Sequence, residues 1–193
     1  MPSGDDRRAS VQAPEQTWIL GNKIDGTQAE LVRVPHADTS LYRIPDYADE
    51  EALVMLNDIL PTGFECGVLN GKVRPGSTVA IFGSGPIGLA ALLTARFYSP
   101  AQIIMIDLDD NRLEMAQRVG ATSVVNSADG NAVEAVMKLT ADRGVDTAIE
   151  AVGIPATFEL CEAIIAPGGR SLILAHMVSR WARCAPVSSM PGF

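Results

Sequence analysis

From Thr78 onward, short apolar runs alternate with longer stretches whose apolar residues recur at helical spacing. Thr78-Val79-Ala80-Ile81-Phe82 reads as a buried strand, and a helix follows from Leu89 to Phe97. Ile103-Ile104-Met105-Ile106 is the next strand. The helix after it carries Leu113, Ala116 and Val119, opens at Asp109 or Asp110 and closes at Gly120. Ser123-Val124-Val125 is a third strand. Ala132 to Asp142 is amphipathic, with Val133, Val136, Met137 and Thr140 on one face, and Gly144 ends it. Asp146 to Val152 is a fourth strand. Pro155 begins a helix through Phe158, Leu160, Cys161 and Ile164, ended by Pro167-Gly168-Gly169, and Ser171 to Ala175 is a fifth strand. This alternation predicts an α/β fold, a doubly wound parallel sheet with helices on both faces. Five strand candidates are present. After His176 the text has neither strand alternation nor a helix cap, so a sixth is missing.

Upstream the patterning is weaker. Residues 1–17 are polar and charged without apolar periodicity, the signature of a disordered tail. From Trp18 to Pro45 the text reads as strand and turn: Gln28 to Val34, then Leu41 to Ile44, broken by Pro35 and Pro45. That is too little for a β domain of its own. Asp49-Glu50-Glu51 opens a helix predicted to run to about Leu60. After Pro61 a second helical stretch leads to Val73, and Pro75-Gly76 turns into the first parallel strand.

The junction of that strand with its helix carries the chemistry. Gly83-Ser84-Gly85-Pro86-Ile87-Gly88 is G-x-G-x-x-G, and Asp107 stands 19 positions after Gly88 at the end of the next strand. Strand before, helix after and acid at this distance make a dinucleotide-binding βαβ unit of the Rossmann type. Gly83 permits the tight turn, Gly85 lets a pyrophosphate approach the backbone, and Gly88 lets helix and strand pack closely. Pro86 suits the first helical turn, whose free N–H groups face the phosphates. Asp107 can accept two hydrogen bonds from a ribose diol and would repel a 2′-phosphate, so NAD is favoured over NADP. Read alone, Asp107 is a solvated loop acid.

Composition narrows the partners. The net charge is −8, against nucleic acid, and no apolar run reaches the length of a membrane span. Three cysteines, Cys66, Cys161 and Cys184, are widely spaced without a C-x-x-C pair. That fits a reducing cytoplasm and offers no cysteine-rich zinc lobe. Cys161, within a helical pattern, reads as a small core residue.

The chain resembles the zinc-dependent medium-chain alcohol dehydrogenases, especially bacterial secondary-alcohol dehydrogenase-like members, from about Trp18 to Gly169. The resemblance is carried by Gly26-Thr27-Gln28-Ala29-Glu30, Asp58 to Phe64, Gly83 to Leu89, Gly120-Ala121-Thr122, Gly144-Val145-Asp146 and Glu150-Ala151-Val152-Gly153. It implies reversible hydride transfer between an alcohol and NAD(P), with a small alcohol, aldehyde or ketone as partner and a catalytic zinc polarising the substrate oxygen. It also implies that Asp58 stands at the third zinc-ligand position. Read bottom-up, Asp58 is a cap or solvated acid. Thr62 resembles the family's threonine near the nicotinamide, and by itself reads as a helix cap. The turn Ala151-Val152-Gly153 resembles the segment under the nicotinamide-side ribose, and by itself is a strand-to-helix turn. The implied organisation is a tail at 1–17, a remnant of a GroES-like catalytic domain at 18–48, a dinucleotide-binding domain at 49–176 and a divergent tail at 177–193.

Departures from the family pattern are severe. The two histidines, His36 and His176, do not lie in a Gly-His-Glu segment, and no cysteine precedes Cys66. Two of the family's zinc ligands are therefore absent from this chain. His36, after Pro35, reads as a turn residue. The sixth strand, along which family members dimerise, is also missing, and the text after Gly169 reads as a truncated or frame-shifted ending. Three functional readings stand: a zinc-type, NAD-dependent oxidoreductase represented by its cofactor half with impaired independent catalysis; an NAD(H)-binding module without chemistry; and a zinc-independent quinone or enoyl reductase. A fourth is a degenerate product with a bare sheet edge.

Overall fold

The computed structural model describes residues 20–21, 24–54 and 56–174 of the chain. They fall in two units, one ending at Ala48 and one beginning at Asp49. In the first, helix α1 (Ala37–Ser40) follows His36, which holds a left-handed conformation at φ 53°. The Thr39 hydroxyl and the Thr39 and Ser40 amides donate to the His36 carbonyl. The strands predicted at Gln28 to Val34 and Leu41 to Ile44 do not form. Their apolar side chains find no cover: Leu31 is 91% and Tyr42 93% exposed. Two short apolar runs without a third strand or a layer beneath them cannot hold a sheet.

The second unit opens with α2 (Glu50–Val54), capped by Asp49, whose Oδ1 accepts from the Glu51 amide at 3.0 Å and the Ala52 amide at 3.3 Å. The single helix predicted to Leu60 is instead broken. Asn57 and Asp58 favour turns over helix interiors, and the chain restarts at α3 (Ile59–Pro61). Pro61 lies inside this turn, where its missing N–H costs nothing, and a π-helix continues from Thr62 to Leu69. A Cβ at Gly63 would meet the Ala91 amide nitrogen at 2.7 Å, so glycine there brings this segment against the next helix.

The elements that follow are β1 (Thr78–Phe82), α4 (Pro86–Ala95) with a 3₁₀ turn at Arg96–Tyr98, β2 (Gln102–Asp107) and α5 (Asp110–Val119). Next come β3 (Ser123–Asn126), α6 (Ala132–Leu139), β4 (Val145–Glu150), α7 (Pro155–Ala163) and β5 (Ile165–Ile173). The five strands form one parallel sheet in the order β3-β2-β1-β4-β5. Side chains alternate between its faces as strand geometry requires. Val79, Ile81, Ile103, Met105 and Ile149 pack with the π-helix, α4 and α5, while Ala80, Phe82, Ile104, Ile106 and Ala148 pack with α6 and α7. Cys161 is a buried core residue of the second layer, and burial pushes its thiol well above the ordinary range. The doubly wound α/β prediction is thus observed, with five strands among the described residues.

Several boundaries move, among them those of α4, observed at Pro86–Ala95 instead of Leu89 to Phe97, and β4, which ends at Glu150 instead of Val152. Helix α6 stops at Leu139 instead of Asp142, because Ala141 and Asp142 take positive φ in the turn before Gly144. Helix α7 ends at Ala163 and β5 begins at Ile165, not Ser171. Pro167-Gly168-Gly169 does not end the helix. It forms an irregularity within β5, whose register with β4 shifts between Val145↔Ile165 and Thr147↔Arg170. Gly168, at φ 79°, takes up that excursion. The expectations for residues 1–17 and 177–193, and for Ala175, His176 and Cys184, lie outside the described residues.

Candidate nucleotide-binding site

The order of the strands reverses between β1 and β4, and a crevice opens at the carboxyl ends of strands on either side of such a reversal. A cavity of about 430 Å³ lies there. Phe82, Gly83 and Gly85 line it from β1 and its turn. Asp107, Leu108 and Arg112 line it after β2, and Ala151, Val152 and Ile154 after β4.

The three glycines of the turn do three different things. Gly83 holds φ 94°, and a Cβ there would meet Val152 Cγ2 at 2.9 Å. At Gly88 an added Cβ would run into the Gly83 carbonyl, so α4 can start this close to β1 only with glycine. At Gly85 an added Cβ would meet nothing within 4 Å. The space beside Gly85 is open, and the N-terminus of α4 begins at Pro86 directly after it. Ser84 Oγ is buried with no hydrogen-bond partner among the described residues, which is uncommon in a folded protein without a ligand or water.

Asp107 is held in place. Its Oδ2 accepts from the Ser84 amide at 2.6 Å, and its Oδ1 from the Leu108 and Asp109 amides at 2.8 and 3.1 Å. A carboxylate offers about four acceptor positions, so these three bonds leave about one for a ligand hydroxyl, fewer than the pair expected from the sequence. Across the cavity, Glu150 ends β4 and is 0% exposed. It accepts from the Val152 amide at 2.8 Å, the Gly153 amide at 2.9 Å and the Thr157 hydroxyl at 2.7 Å.

Of the residues singled out in the sequence, Gly83, Gly85, Asp107, Ala151 and Val152 line the cavity. Ser84, Pro86, Ile87, Gly88 and Gly153 do not line it. Asp58 and Thr62 are brought together, the Thr62 hydroxyl donating to Asp58 Oδ1 at 3.0 Å, but neither lines this cavity. Among the described residues no three His, Cys, Asp or Glu side chains converge to hold a metal ion. The described residues leave open space at the glycine turn and do not assemble the three ligands a catalytic zinc takes. Glu150 entered the sequence reading only as part of the motif Glu150 to Gly153, with no site role, and Thr157 did not enter it. The signal for them is a glutamate closing an apolar strand before a glycine.

The zinc-binding dehydrogenase family matches residues 86–184, more than half of the chain and past Gly169, where the sequence resemblance ended. The chain belongs to that family. An alcohol dehydrogenase of Cupriavidus necator is 49% identical to it over 152 residues, 79% of this chain and 41% of that protein. An NADP-dependent isopropanol dehydrogenase of Thermoanaerobacter brockii is 36% identical over 79% of this chain and 43% of its own length. Among solved structures, zinc dependent alcohol dehydrogenase 2 from Streptococcus pneumonia, in its apo form, superimposes with a TM-score of 0.75 at 59% identity, covering 80% of this chain and 45% of that one. The chain thus spans about two-fifths of the length of the curated relatives it matches. No helix among its described residues is long and apolar enough to cross a membrane.

Proposed function

We propose that this chain binds NAD(H) as the nucleotide half of an alcohol-oxidising, zinc-type dehydrogenase. Residues 49–176 form the dinucleotide-binding domain and residues 18–48 belong to the catalytic domain. The observation that carries the reading is the open space at Gly85, placed between the start of α4 and the anchored carboxylate of Asp107. In this reading Gly83 to Gly88 hold the pyrophosphate, and Asp107 takes a hydroxyl of the adenosine ribose. The loop 151–153 lies by the nicotinamide-side ribose. The bound cofactor supplies the acceptor for a hydride from the substrate alcohol. Asp107 is close to Asp109 and Asp110, a negative setting that disfavours a 2′-phosphate. The cytoplasm is the proposed compartment, on the widely spaced cysteines.

Titration of the purified chain with NADH, followed by nucleotide fluorescence, tests the reading. Saturable binding in the micromolar range, with NADPH weaker, is expected. Absence of saturable binding removes the cofactor reading. Because no zinc-ligand set is assembled among the described residues, alcohol oxidation by this chain alone is expected to stay at background. Turnover abolished by a chelator and restored by zinc would refute that second statement and leave the first intact.

A further inference from the structure

We propose that Glu150 is the positioning residue of the nicotinamide-side wall, fixing the direction in which the dinucleotide lies; this rests on the cofactor reading above. Burying a carboxylate is costly unless its acceptor positions are filled. At Glu150 they are filled by one short stretch of chain, the amides of Val152 and Gly153 and the hydroxyl of Thr157. That stretch supplies Ala151, Val152, Ile154 and Thr157 to the cavity wall. It is also pressed against the glycine turn. The Ala151 amide donates to the Phe82 carbonyl at 2.9 Å, and Val152 Cγ2 and the Ala151 carbonyl leave no room for a Cβ on Gly83. Glu150 thereby joins the loop after β4, the first turn of α7 and the floor of the glycine turn.

The chemical consequence is one of polarity. Two successive loop amides, Val152 and Gly153, are spent on Glu150 and are not free to bind an anion. The accepting oxygens of Glu150 stand directly behind them. This wall offers phosphate no amide donor and accepts a hydroxyl-bearing sugar, whereas at the opposite wall the first turn of α4 presents amides without an intrahelical partner. The two walls together orient a dinucleotide with its phosphates at Gly85 and its second ribose at loop 151–154.

The experiment compares NADH with 5′-AMP, which lacks the nicotinamide half, on the full chain. With Glu150→Met, the NADH dissociation constant rises at least about tenfold while that for AMP stays within about twofold. Glu150→Gln, whose amide oxygen still accepts, restores NADH affinity to within about threefold of the parent chain. Thr157→Val removes one donor at nearly constant shape and weakens NADH against AMP in the same sense. It decides the matter if Glu150→Met does not fold. Equal losses for NADH and AMP in the folded variants mean a merely structural carboxylate and overturn the proposal, as does NADH binding left unchanged. If the parent chain binds AMP and NADH and only the ratio fails to move, the cofactor reading survives alone. If the parent binds neither ligand, both fall.

Discussion

Asp146 and Glu150 stand four residues apart on β4, toward opposite ends of the strand, and their partners differ in kind. Asp146 meets the exposed guanidinium of Arg143 at 2.9 Å and the backbone amide of Thr78 at 2.7 Å, tying β4 to β1. Arg143 also donates to the Thr78 hydroxyl. Glu150 is wholly buried, and its side-chain partners lie in the loop that follows it and in the first turn of α7. One acid joins two strands of the framework. The other shapes a loop that lines a cavity. The difference teaches where function can be separated from stability. Substitutions at the cavity edge are expected to change binding with little effect on folding, and substitutions at the opposite edge are expected to do the reverse.

The largest effect expected at the cavity edge is from Gly85→Val. The residue is extended at φ −77°, and its Cβ would meet nothing, so the fold accommodates valine. The added methyls occupy the open space proposed for phosphate. NADH affinity falls by at least about 100-fold, while the melting temperature moves by no more than about 3 °C. A large loss of stability, or NADH affinity that survives, would break the comparison. Asp107→Asn is expected to have a smaller effect. It keeps an acceptor for the Leu108 and Asp109 amides and removes the charge that disfavours a 2′-phosphate. The preference for NADH over NADPH, from paired titrations, narrows by about tenfold. An unchanged ratio would move cofactor selection away from this residue.

Much of the sheet was legible because a parallel strand buried on both faces must be a continuous apolar run, and β1 and β2 are such runs. The glycine turn was legible for a related reason: each glycine answers a steric demand that no other residue meets, seen at Gly83 and Gly88. The upstream strands were misread because Leu31 and Tyr42 carry the right periodicity with nothing to cover them. Local pattern gives a propensity, and burial decides whether it is realised. The start of β5 was missed because Pro167-Gly168-Gly169 punctuates a bulge as readily as a helix end. Glu150 was missed because its role depends on where the chain goes next. A glutamate in a strand is legible, but three donors folding back onto it are not.

At the framework edge, Asp146→Ala removes the acceptor of a largely buried amide at Thr78. The cost is about 1–2 kcal/mol, mostly from that amide, because an ion pair to a solvent-exposed guanidinium contributes little. Thermal melting falls by roughly 2–8 °C for a domain of this size, and NADH affinity stays unchanged. The acid limb of the same measurement carries the smallest effect. The hydrogen bond from Arg143 holds the Asp146 carboxyl below its ordinary range, helped by the Thr78 amide and the charges of Arg143 and Arg74, against burial, which pushes it up. A carboxyl whose folded pKa is depressed contributes stability above its unfolded pKa of about 3.9. That contribution is lost as pH falls through the lower folded value. The difference in melting temperature between the parent chain and Asp146→Ala therefore stays constant above about pH 5 and narrows below about pH 4. A difference that instead widened toward acid pH would mean that Asp146 is raised, not lowered, by its surroundings.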